Sequence, residues 1–326
     1  MKSSRSHTLS AVLLLLPVMP TLCLAQDWPV KPLRFVVPSP AGASNDGAAR
    51  LIAERLSAKW KQPVVIDNRP GAGTIVGTEA IAKALPDGHT FGWVIGAHSI
   101  NPSLYAKLPY DTLNELSGVT LVYQLKPVIV TTKTLPANTV SELVTLARHR
   151  PGQLTYASPA TGSGVHLVAE LFKHKHGLDM PHIAYKGAVA AHPDVIAGRV
   201  PAMFDTLPGA LPHIQSGRLK LIAVVSEEPL PRHPTFPILR GLLPKDAVVG
   251  WNGIVVPAKT PRFIVARLSA DIIEVVSSPE IQERLTNFGV DPITRSPDEF
   301  DAFIREDIAR WAEVIKRAGI RLEAGS

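Results

Sequence analysis

Leu33-Arg34-Phe35-Val36-Val37 runs into Ser39-Pro40-Ala41-Gly42-Ala43-Ser44-Asn45-Asp46, and then into a polar-apolar stretch ending at Trp60. The first piece reads as a buried strand, the second as a loop of turn formers. The third is a helix from about Gly47, because Ala48, Leu51, Ile52 and Leu56 fall on one face at helical spacing. The order then repeats. Val64–Asp67 is a strand, Asn68-Arg69-Pro70-Gly71-Ala72-Gly73 a loop, and Ile75, Val76 and Ile81 belong to a helix. Thr90–Ile95 is a third strand. Strand, loop and helix in this succession imply an α/β fold with a parallel sheet covered by helices.

The pattern restarts after about residue 125. Val128–Thr131 is a strand, and Thr139-Val140-Ser141-Glu142 has capping-box spacing and opens a helix. Leu154–Ser158 is a strand, followed by Thr161-Gly162-Ser163-Gly164 and a helix carrying Leu167, Val168, Leu171 and Phe172. Short strands are expected at His182–Ala184, Ala202–Phe204 and Leu219–Val225. The stretch from Pro229 to Pro244 reads as a connector. Ser296-Pro297-Asp298-Glu299 joins a capping box to a proline at the first helical position. Phe300, Ile304, Ile308, Trp311 and Ile315 then form an apolar stripe for core packing. Two successive α/β halves suggest two lobes, and ligands of open α/β sheets sit beyond the carboxyl ends of the strands.

Composition sets the compartment. Lys2 and Arg5 precede an apolar run from Leu9 to Leu16, which Pro17 and Pro20 interrupt before Cys23-Leu24-Ala25. This is the layout of a secretory signal peptide over residues 1–25, cleaved before Gln26, and the run is too short to span a bilayer. Bulky Leu22 disfavours a lipid anchor on Cys23. The expected location is the periplasm. Cleavage removes Cys23, the single cysteine of the chain, and with it any disulfide, thiol nucleophile or cysteine metal site. It also removes two positive charges and no acid, taking the formal net charge from +6 to +4. The remaining Lys and Arg are scattered, which gives no footprint for nucleic acid.

The two matching loops carry the chemistry. Pro40, Ala41, Gly42, Ala43, Ser44 and Asp46 lie between a strand and a helix start, as do Ser158, Thr161, Gly162 and Ser163. Helix starts offer unpaired N–H groups and a partial positive charge, which suit a carboxylate or phosphate. Small residues let an anion approach the backbone, and Ser44, Ser158, Thr161 and Ser163 add hydroxyl donors. An enzyme reading finds little support. Gly162-Ser163-Gly164 lacks the outer glycines of a nucleophile elbow, and His166, although near Ser163, has no evident third group to orient it. His166 is read as lining the cleft or packed beneath it. Asp205 follows a short strand, where it either faces the cleft or serves a turn.

Several short motifs in fixed order resemble the substrate-binding receptors of tripartite tricarboxylate transporters, the Bug family. They include Asn68-Arg69-Pro70-Gly71-Ala72-Gly73, Pro86-Asp87-Gly88-His89-Thr90, Asn101-Pro102-Ser103-Leu104-Tyr105, Tyr185-Lys186-Gly187-Ala188 and Met203-Phe204-Asp205. The resemblance implies a type II-like periplasmic binding protein fold, with two Rossmann-like lobes, a ligand cleft between them and a hinge crossed twice by the chain. With the pattern restart, it sets lobe 1 at 26–125 plus 247–326 and lobe 2 at 126–246. It implies capture of a small organic acid by the 40–46 and 158–164 loops, bordered by His98, Ser99, Tyr185 and Asp205. It implies delivery to the transporter's membrane components, no cofactor or metal, no catalysis, and a monomer. A sensory receptor would use the same cleft and differ only in its partner. The chain departs from the family pattern at Ala41, where the first loop usually carries a second glycine, and at Pro159 or Ala160, where the second usually has one.

Overall fold

The computed structural model describes residues 28–243 and 249–318. The leader expected at 1–25, the cleavage point before Gln26 and the expected lobe boundary at 246/247 lie outside the described residues. Among the described residues, no helix is long and apolar enough to cross a membrane.

The first sheet contains β1 (Leu33–Val37), β2 (Val64–Asn68), β3 (Thr90–Ile95), β4 (Leu116–Gln124), β11 (Asn252–Pro257) and β12 (Asp291–Pro292), in the order β12-β4-β11-β3-β1-β2. The second contains β5 (Pro127–Thr132), β6 (Tyr156–Ser158), β7 (His182–Ala184), β8 (Ala202–Thr206), β9 (Leu219–Val225) and β10 (Ile238–Leu239), in the order β10-β9-β5-β8-β6-β7. The two orders are the same pattern. In each, a strand one place in from the edge is flanked by parallel neighbours: β1 by β2 and β3, β6 by β7 and β8.

The sheets are mixed rather than parallel throughout. β11 is antiparallel to β3 and β4, and β5 is antiparallel to β8 and β9. Each of these strands enters its sheet just after the chain has crossed from the other one, at 124–127 and at 249–252. A strand arriving that way has no βαβ crossover to set it parallel.

The helices are α1 (Ser44–Trp60), α2 (Ile75–Ala82), α3 (Ala97–Leu104), α4 (Val140–His149), α5 (Gly164–His176), α6 (Ala188–Ile196), α7 (Leu207–Gln215), α8 (Arg262–Ser277), α9 (Pro279–Asn287) and α10 (Pro297–Ala318). α1 begins three residues earlier than its apolar spacing indicates, because Gly42 turns into the left-handed region at φ 84° and Ala43 is already extended. Both faces of each sheet are covered. Phe35 and Val37 pack with Ile52 and Leu56 of α1 and Leu268 of α8, while Val36 joins Trp251, Phe300 and Ile304 on the opposite face.

The stripe on α10 divides between two cores. Phe300 and Ile304 pack against the first sheet, whereas Trp311, Val314 and Ile315 join Ile129, Phe172 and Phe204 of the second. One buried contact ties the helix to the first sheet: Trp251 donates its indole N–H to Asp307 at 2.8 Å, and Arg310, one turn further along the same helix, pairs with that carboxylate at 3.0 Å. The capping box at its start forms as expected, with Ser296 and Glu299 exchanging hydrogen bonds.

The two crossings run side by side. The Leu125 N–H donates to the Gly250 carbonyl at 3.0 Å, and Gly250 holds φ 75°. A Cβ on Gly250 would stand 2.9 Å from Cβ of Leu125. Gly177 is also left-handed, at φ 61°, but has open space around it. Gly177→Ala should therefore cost about 1–2 kcal/mol through backbone strain alone. Gly250→Ala should cost about 1–3 kcal/mol more, through overpacking at the crossing. Urea unfolding of both variants checks this, and equal losses would show that the crossing is not tightly packed.

Candidate ligand-binding site

The loops after β1 and β6 occupy equivalent corners of the two sheets, and they are built alike. Gly42 (φ 84°) and Gly162 (φ 74°) are each the second residue before a helix begins, followed by the extended N-cap residues Ala43 and Ser163. Each glycine N–H then donates to the side chain four residues on. Gly42 reaches Oδ2 of Asp46 at 2.8 Å, and Gly162 reaches Nδ1 of His166 at 3.1 Å. Asp46 and His166 are both the third residue of their helices, so the same turn is locked twice by different acceptors.

In the first loop the acceptor is ionised. Asp46 is almost fully buried and also receives Arg50 Nε at 2.9 Å and Asn68 Nδ2 at 2.9 Å. Burial would raise its carboxyl, but the hydrogen bonds from Arg50, Gly42 and Asn68 overcome that and hold it below the usual carboxylate range. Asn68 bonds the Ser39 carbonyl as well, at 3.0 Å, so the end of β2 braces the loop after β1.

In the second loop the acceptor is a neutral imidazole in a polar cluster. The His166 ring stacks on that of His182 at 4.1 Å, and His182 stacks on Tyr156 at 4.9 Å. Ser158 Oγ shares a 2.7 Å hydrogen bond with His182 Nε2. Tyr156 donates to Glu170, which pairs with Lys173 at 2.7 Å. Burial pushes His182 down to about 4, assisted by the neighbouring His166, and burial lowers His166 as well. The 185–187 segment is laced onto this loop by Tyr185 N–H to the Ser158 carbonyl (3.1 Å) and Gly187 N–H to the Pro159 carbonyl (2.8 Å).

These commitments sort the expected site residues. Pro40, Ala41, Gly42 and Thr161 are exposed on their loops. The N–H groups of Ser44, Asn45 and Asp46 open α1, which has no side-chain cap; those of Gly164 and Val165 open α5. Ser163 is itself the cap of α5, accepting the His166 N–H at 3.3 Å and donating to the Ala160 carbonyl at 2.8 Å.

Other expected contacts point inward. The Gly42 and Gly162 amides and the Asp46, Ser158 and His166 side chains hold the loops together. Asp205 is fully buried rather than open to the cleft, with His192 Nε2 at 2.8 Å and the Thr206 N–H at 2.7 Å. The Tyr185 hydroxyl donates to Asp194 at 2.6 Å, and burial and that bond push its pKa up to about 12. His98 and Ser99 are buried in α3. His98 packs edge-on to Trp251 and lines a partly open pocket with Thr112, Gly118, Asp301 and Arg305, on the α10 side. Burial pushes its pKa down to about 4.

Arg50, Asn68 and His182 were not identified as site residues from the sequence. The i,i+4 spacing of Asp46 and Arg50 on one helix is a legible signal. Nothing local announces His182, which meets Ser158 only because β6 and β7 pair.

The sequence from residue 48 to 320 matches the tripartite tricarboxylate transporter family receptor model. The protein BugT of Bordetella pertussis is 33% identical over 304 residues, covering 92% of this chain and 93% of that one. Among solved structures, R. palustris Rpa4515, determined with adipate, superposes with a TM-score of 0.83 at 33% identity, covering 91% of this chain and 100% of that one. MatC from Rhodopseudomonas palustris, with bound malate, gives a TM-score of 0.78 at 28% identity, covering 88% and 100%. With matched strand orders, paired loops and this similarity along most of its length, the chain belongs to the tripartite tricarboxylate transporter receptors, periplasmic solute receptors rather than enzymes.

Proposed function

We propose that this receptor captures a small carboxylate, a C4–C6 dicarboxylate being the simplest choice, between the 40–46 and 158–164 loops. It then delivers the ligand to the membrane components of its transporter. The observation that carries the reading is the pair of locked left-handed turns. Each presents the first-turn N–H groups of a helix at the carboxyl end of a strand. Neither loop contains Lys or Arg, so the ligand's charge is met by neutral donors and helix dipoles. Hydrogen bonds to a charged group contribute about 1.5–3 kcal/mol each, so a few amides suffice once water is excluded. Adipate in Rpa4515 and malate in MatC make dicarboxylates the first probes.

In this reading lobe 1 comprises 26–125 plus 247–326, lobe 2 comprises 126–246, and the ligand draws them together about the 125 and 250 crossings. Residues 1–25 direct export and are removed. Mass spectrometry of protein recovered from a native-type periplasm should find Gln26 at the N-terminus; intact Met1 on exported protein would overturn cleavage.

The site itself is tested at Gly42, which is exposed and left-handed and has nothing within 4 Å of a would-be Cβ. Asn and Asp both tolerate this conformation and differ by one charge. Calorimetry with malate and adipate should show Gly42→Asp binding at least about tenfold more weakly than Gly42→Asn, the equivalent of about 1.4 kcal/mol. Equal affinities would place the carboxylate elsewhere.

A further inference from the structure

The two loops are locked by the same turn, but only one lock can be opened by a proton. We propose that His166 is a positioning residue for the ligand loop, and that its protonation breaks the bond from the Gly162 N–H and releases the 158–164 loop. The inference rests on the receptor reading above and extends it to regulation of the same site.

The geometry is explicit. Because the Gly162 amide donates to Nδ1, that nitrogen carries a lone pair, and a neutral His166 has its proton on Nε2. A second proton can go only to Nδ1. It would then face the Gly162 N–H donor to donor at the present 3.1 Å separation, and the bond that holds the left-handed turn would be lost. The first loop has no such weakness. Its acceptor is a carboxylate kept ionised by Arg50 and Asn68, so Gly42 stays bound at pH values where an imidazole charges.

The groups around His166 set the direction. On its own helix, Glu170 lies 4.0 Å from Nε2 and favours the charged form, while Lys173 opposes it. From β7, His182 is stacked on the ring; with its own pKa pushed down to about 4 it stays neutral between pH 5.5 and 7.5 and adds no charge. From β6, Tyr156 donates its hydroxyl to Glu170, and Ser158 is bonded to His182 rather than to His166. Burial is the largest influence and lowers the pKa of His166 below the ordinary value of 6.5. The neutral form therefore holds the loop fully above that value, and the lock is lost as pH falls through the depressed one. Loss of the turn moves Ser163 and the Gly164 and Val165 amides, which are the second loop's share of the site.

Asn is the discriminating substitution, because its Oδ1 branches from Cγ as Nδ1 does in histidine and accepts a hydrogen bond without titrating. Malate and adipate affinities are measured for parent, His166→Asn and His166→Leu at pH 7.5 and 5.5. Protonation of the probes is common to all three proteins and cancels in the ratio to parent. The parent should lose several-fold more affinity on acidification than His166→Asn, up to a ceiling of about tenfold for a released imidazole that titrates near its ordinary value. His166→Leu should bind weakly at both pH values. A pH profile for His166→Asn that tracks the parent, or full affinity in His166→Leu, overturns the proposal.

Ligand-free protein gives a second decision. Long-range imidazole ¹H–¹⁵N spectra should show His166 with a bare Nδ1, and the Gly162 amide resonance should titrate together with that ring. An Nδ1–H tautomer, or a Gly162 amide indifferent to the titration, overturns the proposal. If the amide follows the ring while neither probe binds the parent, the lock stands and the dicarboxylate reading falls.

Discussion

The Leu125 N–H bound to the Gly250 carbonyl at 3.0 Å is the constraint around which the molecule is arranged. It ties the outgoing crossing of the chain to the returning one, so both sheets meet the connection at one place. Three further bonds anchor the returning strand beside it: Gly96 N–H to the Trp251 carbonyl (3.0 Å), Trp93 Nε1 to Asn252 (2.7 Å) and Trp251 Nε1 to Asp307 (2.8 Å). The middle position of each sheet is thereby filled by the strand that has just arrived, β11 or β5. The parallel triplets β3-β1-β2 and β8-β6-β7 are left at corresponding edges, each with one strand-loop-helix corner. α10 completes the arrangement by packing one half of its stripe in each core. Any relative motion of the sheets therefore has to slide or tilt this helix as well as turn the crossings.

How much of this could be read from the chain depended on how local the cause was. β1, β2, β3 and the loop after β1 were legible, because apolar runs, turn residues and helical spacing all lie within a few positions of one another. So was the Thr139 cap, which accepts the Glu142 N–H at 3.2 Å. The mixed character of the sheets was not, since β4 and β11 pair across more than a hundred residues and no short window contains that information. α3 was missed because Pro102 interrupts its pattern, although proline is tolerated here in a short helix whose start is set by Gly96. Of the proposed site, the two loops could be marked out from the sequence, but which of their atoms already have protein partners could not. Gly42, Gly162, Ser158 and Asp205 were expected to face a ligand, and each has a protein partner visible only in three dimensions.

The two departures from the family's loop pattern can be resolved physically. Glycine is favoured where φ is positive, and in the first loop that residue is Gly42, not Ala41. Ala41 lies outside the left-handed region and is exposed, so its methyl group neither strains the turn nor enters the core. In the second loop the left-handed position is Gly162, and Pro159 and Ala160 precede it in ordinary backbone. Pro159 gives up an N–H donor, yet its carbonyl receives the Gly187 N–H at 2.8 Å and the Ala160 carbonyl receives Ser163 Oγ at 2.8 Å. The proline thus stiffens a segment that acts through its acceptors, while the donors that open α5 lie further on, at Gly164 and Val165. Both departures fall at points where the turn does not use glycine's freedom, while the two left-handed positions, Gly42 and Gly162, are glycines.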